Sequence, residues 1–465
     1  MTGISLIIVF LISIVVMILA ISKYKLHPFL AIMGVAVVLG LLAGIPLINT
    51  TNADGSVTTG IAGIVGEGFS AIFTGIGLVI ILGALIGAVL EATGGAFKIA
   101  DMIIRLLGKR SPTLSIIIMG WIVSVPVFCD SGFVIINPVR RSVVKRTAAS
   151  GVATAVGLGA GLYTSHVLVP LTPGPLAASN ALGLGENLLL VIFVATVVSI
   201  PSLIAAYFWA TYQGKKNQSK EDIEIANDDT VKTYEELVKQ FGGLPNGLLS
   251  LAPIVVPILC MALLPIANMA EWRGTFGNLM RFAGTPLIAL TIGLLFAIIL
   301  LAVSGKMEHF NRLTNDTLKM LGPILFITGA GGVLGRVIAV SDMVPFIQSN
   351  AEILMGMGLF FPFIVSALIK TAQGSSTVAM ITTAGIMAPM MDILGFGSPM
   401  MSALTVMAIG AGSMMASHAN DSYFWVVTNL SEMTPQQGYR AWTSMTVVQG
   451  VACMIGIFIF SLFVS

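Results

Sequence analysis

This sequence has very little charge. Only 9% of its 465 residues are Asp, Glu, Lys or Arg, against 56% hydrophobic, and the mean hydropathy is +0.97. A soluble domain keeps its surface wet with about a quarter of its residues charged, so water is not this chain's main solvent. The net charge of +2 gives no basis for a nucleic-acid partner; the informative point is where the charges sit. Cysteine is scarcer still. Cys129, Cys260 and Cys453 lie far apart in apolar runs, a pattern that provides neither metal spacing nor a disulfide framework. The histidines, at 27, 166, 309 and 418, show no spacing for a metal or nucleophile site, which argues against a membrane enzyme and for no metal and no cofactor. Met1 to Ser5 carries no Lys or Arg, and no small-residue cleavage pattern follows, so residues 5–21 read as a retained span rather than a signal peptide.

What the sequence does have is long apolar runs. Runs long enough to cross a hydrocarbon core, about 20 residues, fall near 4–21, 28–49, 69–91, 150–169, 187–211, 248–270, 283–303, 320–340, 400–418 and 441–464. Two further stretches, 112–147 and 357–391, are too long for one crossing and are broken in the middle. The breaks read Phe128-Cys129-Asp130-Ser131-Gly132 and Gln373-Gly374-Ser375-Ser376-Thr377. Irregular backbone at membrane depth is tolerated only where protein or a wet cavity satisfies it, so both stretches are expected to be re-entrant hairpins.

Lys and Arg placement supports that scheme. Lys23 and Lys25, then Lys98, Arg105, Lys109 and Arg110, then Arg140, Arg141, Lys145 and Arg146 follow alternate segments. Lys215, Lys216 and Lys220 open a polar linker, and Lys306, Arg312 and Lys319 mark a later cytoplasmic turn. Residues 50–66, 170–186 and 341–356 contain neither Lys nor Arg. The pattern closes if 112–147 enters from the cytoplasm and 357–391 from outside, with Arg273 and Arg281 as exceptions. The expectation is ten full crossings, two opposed hairpins and both termini outside.

Landmarks also recur. Gly83-Ala84 returns as Gly329-Ala330 (329 − 83 = 246), and Asp130 is matched by Ser375 (375 − 130 = 245). Gly159-Ala160-Gly161 returns as Gly410-Ala411-Gly412 (410 − 159 = 251), and Ser165-His166 as Ser417-His418 (417 − 165 = 252). Five crossings per half force the halves to be inverted, and inverted repeats with broken helices at the midplane are a mark of secondary transporters. The reading is an all-α polytopic membrane protein. Residues 1–211 form one repeat, with hairpin 112–147 and broken helix 150–183. Residues 212–247 form a cytoplasmic linker, with a short helix expected at 228–240. Residues 248–465 form the second repeat, with hairpin 357–391 and broken helix 400–434.

The broken helices carry the chemistry. The first runs through Tyr163-Thr164-Ser165-His166 into Pro170, Pro173 and Pro175, which cannot continue a helix. The second packs Ser417-His418-Ala419-Asn420-Asp421-Ser422 into an apolar stretch. A half-helix N-terminus frees N–H groups and favours an anion, so two hairpin tips and two broken helices suit one carboxylate-bearing solute. Kinked packing alone is the plainer alternative, but polar residues cluster at all four breaks.

The runs PVFCDSGFVIINP, SHVLVPLTPGPLAA, QGSSTVAMITTAGIMAP and GAGSMMASHANDSYFW resemble those of the gluconate permease (gluconate:proton symporter) family. The likeness extends to GALIGAVLEATGGAFKIAD and LFITGAGGVLGRVI and covers nearly the whole chain. It implies an inner-membrane symporter for sugar acids or small hydroxy or amino acids, driven by protons. It also implies the ion-transporter superfamily fold, an elevator-type dimer with a moving transport part and a static scaffold. One departure is that Cys129 and Ser131 flank Asp130 where family members commonly carry an aromatic or aliphatic residue.

Glu67, Glu91, Asp130, Arg336, Lys370 and Asp421 are ionisable residues in or beside apolar segments, and each needs a reason to be there. Lys370, beside the second tip, is the first choice for a substrate carboxylate, against a snorkelling lysine or a partner of Asp130 or Asp421. Asp130 suits substrate hydroxyls or the coupled proton, with turn capping as the alternative. His166 and His418 suit proton coupling or a structural hydrogen bond, and Asp421 joins them as a coupling candidate. Ser131, Thr164, Ser375, Ser376, Thr377, Asn420 and Asp421 complete the expected substrate contacts. Glu91 and Arg336 read as helix-end anchors or an ion pair.

A channel would want one continuous polar pore, whereas these polar residues converge on a cluster. A sodium-coupled carboxylate transporter and a D-serine or amino-acid permease remain open beside the proton-coupled sugar-acid symporter.

Overall fold

The computed structural model describes residues 4–51, 57–107, 111–222, 244–342 and 357–464. The helix expected at 228–240 lies outside these. The described chain is almost wholly helical; a two-residue pairing of β1 (Thr50–Thr51) with β2 (Val57–Thr58) is its one sheet among the described residues.

One group of helices packs around α14 (Phe310–Val340), which touches α2 (Pro28–Leu42), α3 (Ile61–Ile72) and α4 (Leu78–Thr93). Helix α1 (Ile4–Ser22) lies on α2, while α11 (Gly247–Met269), α12 (Gly274–Gly284) and α13 (Pro286–Val303) continue the layer. The second group surrounds α8 (Gly151–Leu168) and α17 (Pro399–Ser413). Every residue of α8 is buried, as are Ser402 to Ser413 of α17. A helix that is apolar all round belongs in an interior, and Gly, Ala and Ser on both let neighbours approach closely. Around them pack α6 (Pro112–Val123), α7 (Cys129–Thr147), α10 (Leu188–Lys216), α15 (Phe360–Gln373) and α19 (Ser444–Ser461). Helix α5 (Gly95–Leu107) bridges towards α6, and α16 (Ser376–Met387) with α9 (Pro173–Ala181) packs against α14. A short α18 (Ser422–Leu430) follows the break after α17.

Side chains such as Leu11, Val15, Phe193, Ile204, Phe208, Leu259, Ile455 and Phe458 stand exposed on outer faces. Exposed apolar area on this scale marks contact with something other than water, and lipid fits a chain of this hydropathy.

Both stretches expected as hairpins are two helices joined at a break. Helix α15 ends at Gly374 with φ +90°, where a Cβ would meet the Asn420 carbonyl oxygen at 2.1 Å, so only glycine fits. The broken helix 150–183 divides as α8 and α9 because Pro170 and Pro173 follow Leu168. Thr172 Oγ1 covers the freed His166 carbonyl at 2.6 Å.

Several of the helices are shorter than the apolar runs from which ten crossings are expected. Among the described residues, six helices are long and apolar enough to span, or seven if α3 and α4, bent by 45°, count as one. Helices α2 and α17, at 15 residues each, reach only about 22 Å, short of a core of about 30 Å. Helix α2 stops at Gly44, with φ +90°, and Pro46; α17 stops at its polar break. The run expected from 69 starts earlier, at Ile61, and is interrupted by a π-helical turn over Phe73–Gly77. The linker expected from 212 begins later, since α10 continues to Lys216. Arg281, an exception to the charge pattern, sits on α12 and donates to Asn268 Oδ1 (2.8 Å) and the Ala267 carbonyl (3.3 Å), at the C-terminal end of α11.

Candidate functional site

Three helices begin at one place. Helix α7 starts at Cys129 with Asp130 in its first turn, α16 follows its Ser375 cap, and α18 follows its Asp421 cap. Each cap side chain satisfies one orphan donor: Ser375 Oγ accepts from Val378 N (3.3 Å), and Asp421 Oδ1 from Tyr423 N (3.0 Å). The three first turns line a cavity of about 360 Å³, closed further by Tyr163 and His166 of α8 and by Ile324 and Ile327 of α14. Ligand pockets commonly run about 300–1,000 Å³, and three converging N-termini aim partial positive charge at its contents.

Charged side chains are sparse here and mostly spoken for. Lys370 Nζ reaches Asp421 Oδ2 at 2.6 Å and donates to the Gly374 carbonyl; the lysine side chain is 1% and the aspartate 8% exposed. Asp421 Oδ2 also accepts from Ser417 Oγ at 2.5 Å, and Ser417 Oγ in turn accepts from Trp442 Nε1 at 3.0 Å. This cluster ties α15 to the start of α18. Asp130 is held more loosely: Ser422 Oγ donates to Oδ1 at 3.3 Å, and Cys129 Sγ lies 3.6 Å from Oδ2. Two buried polar atoms of the lining, His166 Nδ1 and Asn420 Oδ1, have no hydrogen-bond partner among the described residues. A buried polar atom left bare is costly, and one facing a cavity is available to a ligand.

The structure brings Asp130, His166, Ser375, Ser376, Thr377, Asn420 and Asp421 together in this lining. Four expected contacts lie outside it. Lys370 is engaged by Asp421 behind the tip. His418 Nε2 lies 2.9 Å from the Thr371 carbonyl, to which Asn420 Nδ2 also donates at 2.9 Å, so both pin the broken segment to the end of α15. Ser131 sits one residue past the lining, on α7. Thr164 is wholly buried; it donates to the Ala160 carbonyl (2.9 Å) and accepts from Gln449 Nε2 (2.8 Å). Thr164→Val removes the shortest hydrogen bond of the Gln449 amide and leaves it the Ala160 carbonyl (3.2 Å) and Ser202 Oγ (3.4 Å). It is expected to lower stability by about 0.5–1.5 kcal/mol, the net contribution of one hydrogen bond, with acid affinity unchanged, as thermal unfolding beside ligand binding would show.

Sequence reasoning passed over Phe128, Tyr163, Gln373 and Tyr423, all in the lining. Tyr163 and Tyr423 sit with ring centroids 5.4 Å apart and both contact Trp442. Their only signal is adjacency to the polar breaks, since an aromatic residue in an apolar run looks like packing. Arg336 pairs with Glu67 at 2.8 Å, while Glu91 takes no part in that pair.

An apolar helical body that gathers helix N-termini around an interior polar cavity is a multi-pass membrane transporter. The sequence profile of the GntP family permeases matches residues 4–463. A gluconate permease of Pseudomonas aeruginosa is 30% identical, over 97% of this chain and 96% of its own length. The inner membrane permease YgbN of Escherichia coli is 28% identical over 97% of each chain. The crystal structure of the Alcanivorax borkumensis YdaH transporter superposes with a TM-score of 0.66 at 14% identity, covering 94% of this chain and 98% of that one. The chain belongs to the GntP permease family, and it is a permease and not an enzyme.

Proposed function

We propose that this chain is a proton-coupled symporter that takes gluconate or a closely related sugar acid across the bacterial inner membrane. The observation that carries this reading is the meeting of three helix N-termini in one cavity where the nearby ammonium is already neutralised by Asp421. An anion is held there by N–H groups, with hydroxyls left for Ser376, Thr377 and the free atoms of His166 and Asn420. The gluconate permease relative supports the choice of acid. Asp130 is the lining carboxylate without a cationic partner among the described residues, so an entering anion meets its charge at close range. A proton on Asp130 removes that repulsion, which ties anion and proton together.

The same proposal includes two inverted repeats that move as an elevator in a homodimer. Both halves run helix–break–helix twice, as α6–α9 and as α15–α18. The packing repeats as well. A Cβ on Gly161 would stand 2.1 Å from the Ile117 carbonyl oxygen, and one on Gly412 2.2 Å from that of Phe363. The offsets are 251 (412 − 161) and 246 (363 − 117), those of the sequence landmarks. The core of the moving part is α8 and α17, and α14 with its neighbours forms the scaffold.

Labelled gluconate in proteoliposomes tests the function. Uptake is expected to rise with an inward proton gradient and to collapse with an uncoupler at fixed sodium. Uptake that ignores the uncoupler and requires sodium would transfer the protein to the sodium-coupled class. Asp130→Asn is expected to keep counterflow exchange and lose proton-driven accumulation; full accumulation by that variant removes Asp130 from the coupling step.

A further inference from the structure

A second and larger cavity, of about 540 Å³, lies between α3, α9, α14 and α16. Its walls carry little side chain, since Gly331, Gly332 and Gly335 of α14 and Gly385 of α16 line it. Its charged lining, among the described residues, is Glu67 and Arg336. Arg336 donates through Nε (3.0 Å) and Nη2 (2.8 Å) to one oxygen of Glu67, Oε2, and both side chains are about half exposed, at 47% and 46%. That grip occupies one edge of a guanidinium fork shaped for carboxylates and leaves Nη1 outside the pair. By contrast, the wholly buried Arg140 engages both oxygens of its glutamate partner, Glu221.

The pair is not needed to hold α3 to α14. A Cβ on Gly68 would come within 2.7 Å of Val333 Cα, so the two backbones already touch. Half-exposed ion pairs also add little to stability. Position suggests a different task. Arg336 also lines an outer recess of about 340 Å³ that contains Asp342 and Thr58. Along α14, Val340 and Arg336 face that recess, Arg336 and Thr328 face the glycine-walled cavity, and Ile327 and Ile324 face the helix N-termini. From Arg336 to Ile327 is nine residues (336 − 327), about 13 Å of helix.

We infer that Arg336 is a capture site for the carboxylate of the transported acid, which displaces Glu67 from the guanidinium, occupies the 540 Å³ cavity and passes along the glycine face of α14 to the inner site. The inference rests on the carboxylate reading of the inner cavity. Glu67 is then a built-in competitor that keeps Arg336 from holding the anion too firmly.

The test measures initial uptake of labelled gluconate against concentration in proteoliposomes, with thermal stability of each variant measured beside it. Arg336→Gln is expected to raise half-saturation about tenfold, the loss of one charged hydrogen bond, and to change the saturated uptake rate by a smaller factor. Glu67→Gln is expected to act in the opposite sense and lower half-saturation several-fold. The double variant should follow Arg336→Gln. Arg336→Lys, which keeps the charge, should recover part of the loss, and with Glu67→Gln it decides the matter if Arg336→Gln does not fold. A scaffold ion pair predicts shifts of the same sign from Arg336→Gln and Glu67→Gln, or none; either result in an active wild type overturns the capture site alone. A wild-type protein that transports no carboxylate overturns the reading of the inner cavity as well.

Discussion

Lys370→Met is expected to destabilise the protein by about 3–5 kcal/mol, the usual effect of stranding one partner of a buried ion pair. The ammonium sits 2.6 Å from Asp421 with both groups buried, so its removal leaves a carboxylate that has, among the described residues, Ser417 and the Tyr423 N–H to hold it. Asp421→Asn should cost less, because the amide oxygen can still cap α18. The informative protein is the double variant, Lys370→Met with Asp421→Asn. It removes both charges together and is expected to regain most of the lost stability, with a coupling energy that a double-mutant cycle reads directly. Its gluconate affinity then separates two mechanisms. If helix N–H groups hold the carboxylate, the double variant binds within about 1 kcal/mol of wild type. If Lys370 reaches the acid itself, binding weakens by about 1.5–3 kcal/mol, the contribution of a charged hydrogen bond, although the protein folds.

That case also shows what the sequence could convey. The breaks at 128–132 and 373–377 were legible because polar and glycine residues interrupt apolar runs, and broken backbone inside a membrane demands a satisfied environment. Proximity of the breaks followed from the same reasoning, and seven of the expected contacts line the cavity. The identity of each contact was only partly legible: the sequence offers Asp130 and Asp421 alike as partners for Lys370, and only the folded chain, which sets Asp421 2.6 Å away across 51 positions, chooses between them. Thr164 illustrates the reverse. A hydroxyl on a broken helix reads as a site residue, yet α8 turns it towards Gln449, away from the cavity. Helix ends departed from the apolar runs for a related reason. Hydropathy finds apolar residues and not helix ends, so the stops of α2 at Gly44 and of α17 before its polar break were counted through.

Arg140 and Glu221 give the second large effect. The charge pattern of the sequence places Arg140 among the cytoplasmic cations that follow the first hairpin, and the structure buries it completely. Nη2 meets both oxygens of Glu221, at 2.6 and 2.7 Å, Nε meets Asn137 Oδ1 at 2.7 Å, and Nη1 meets the Gly151 carbonyl at 3.1 Å and Thr154 Oγ1 at 3.2 Å. Every donor group of the guanidinium has a partner, which is the condition under which a buried pair can offset its desolvation. Asp222 adds to the anchor by accepting from Gly151 N at 2.5 Å and Ser219 N at 2.8 Å. The start of the linker is therefore locked into the corner where α7 turns into α8, which joins the hairpin to the broken helix. Glu221→Ala is expected to lower stability by about 3–5 kcal/mol because it strands a buried guanidinium. Arg140→Met with Glu221→Met, apolar at both positions and of similar length, should recover a large part of that loss. Thermal unfolding of the three purified proteins in one detergent decides it. Equal stability of Glu221→Ala and wild type would mean that the linker does not anchor this corner, and that α8 with the Asn137 bond to the Leu430 carbonyl holds α7 without it.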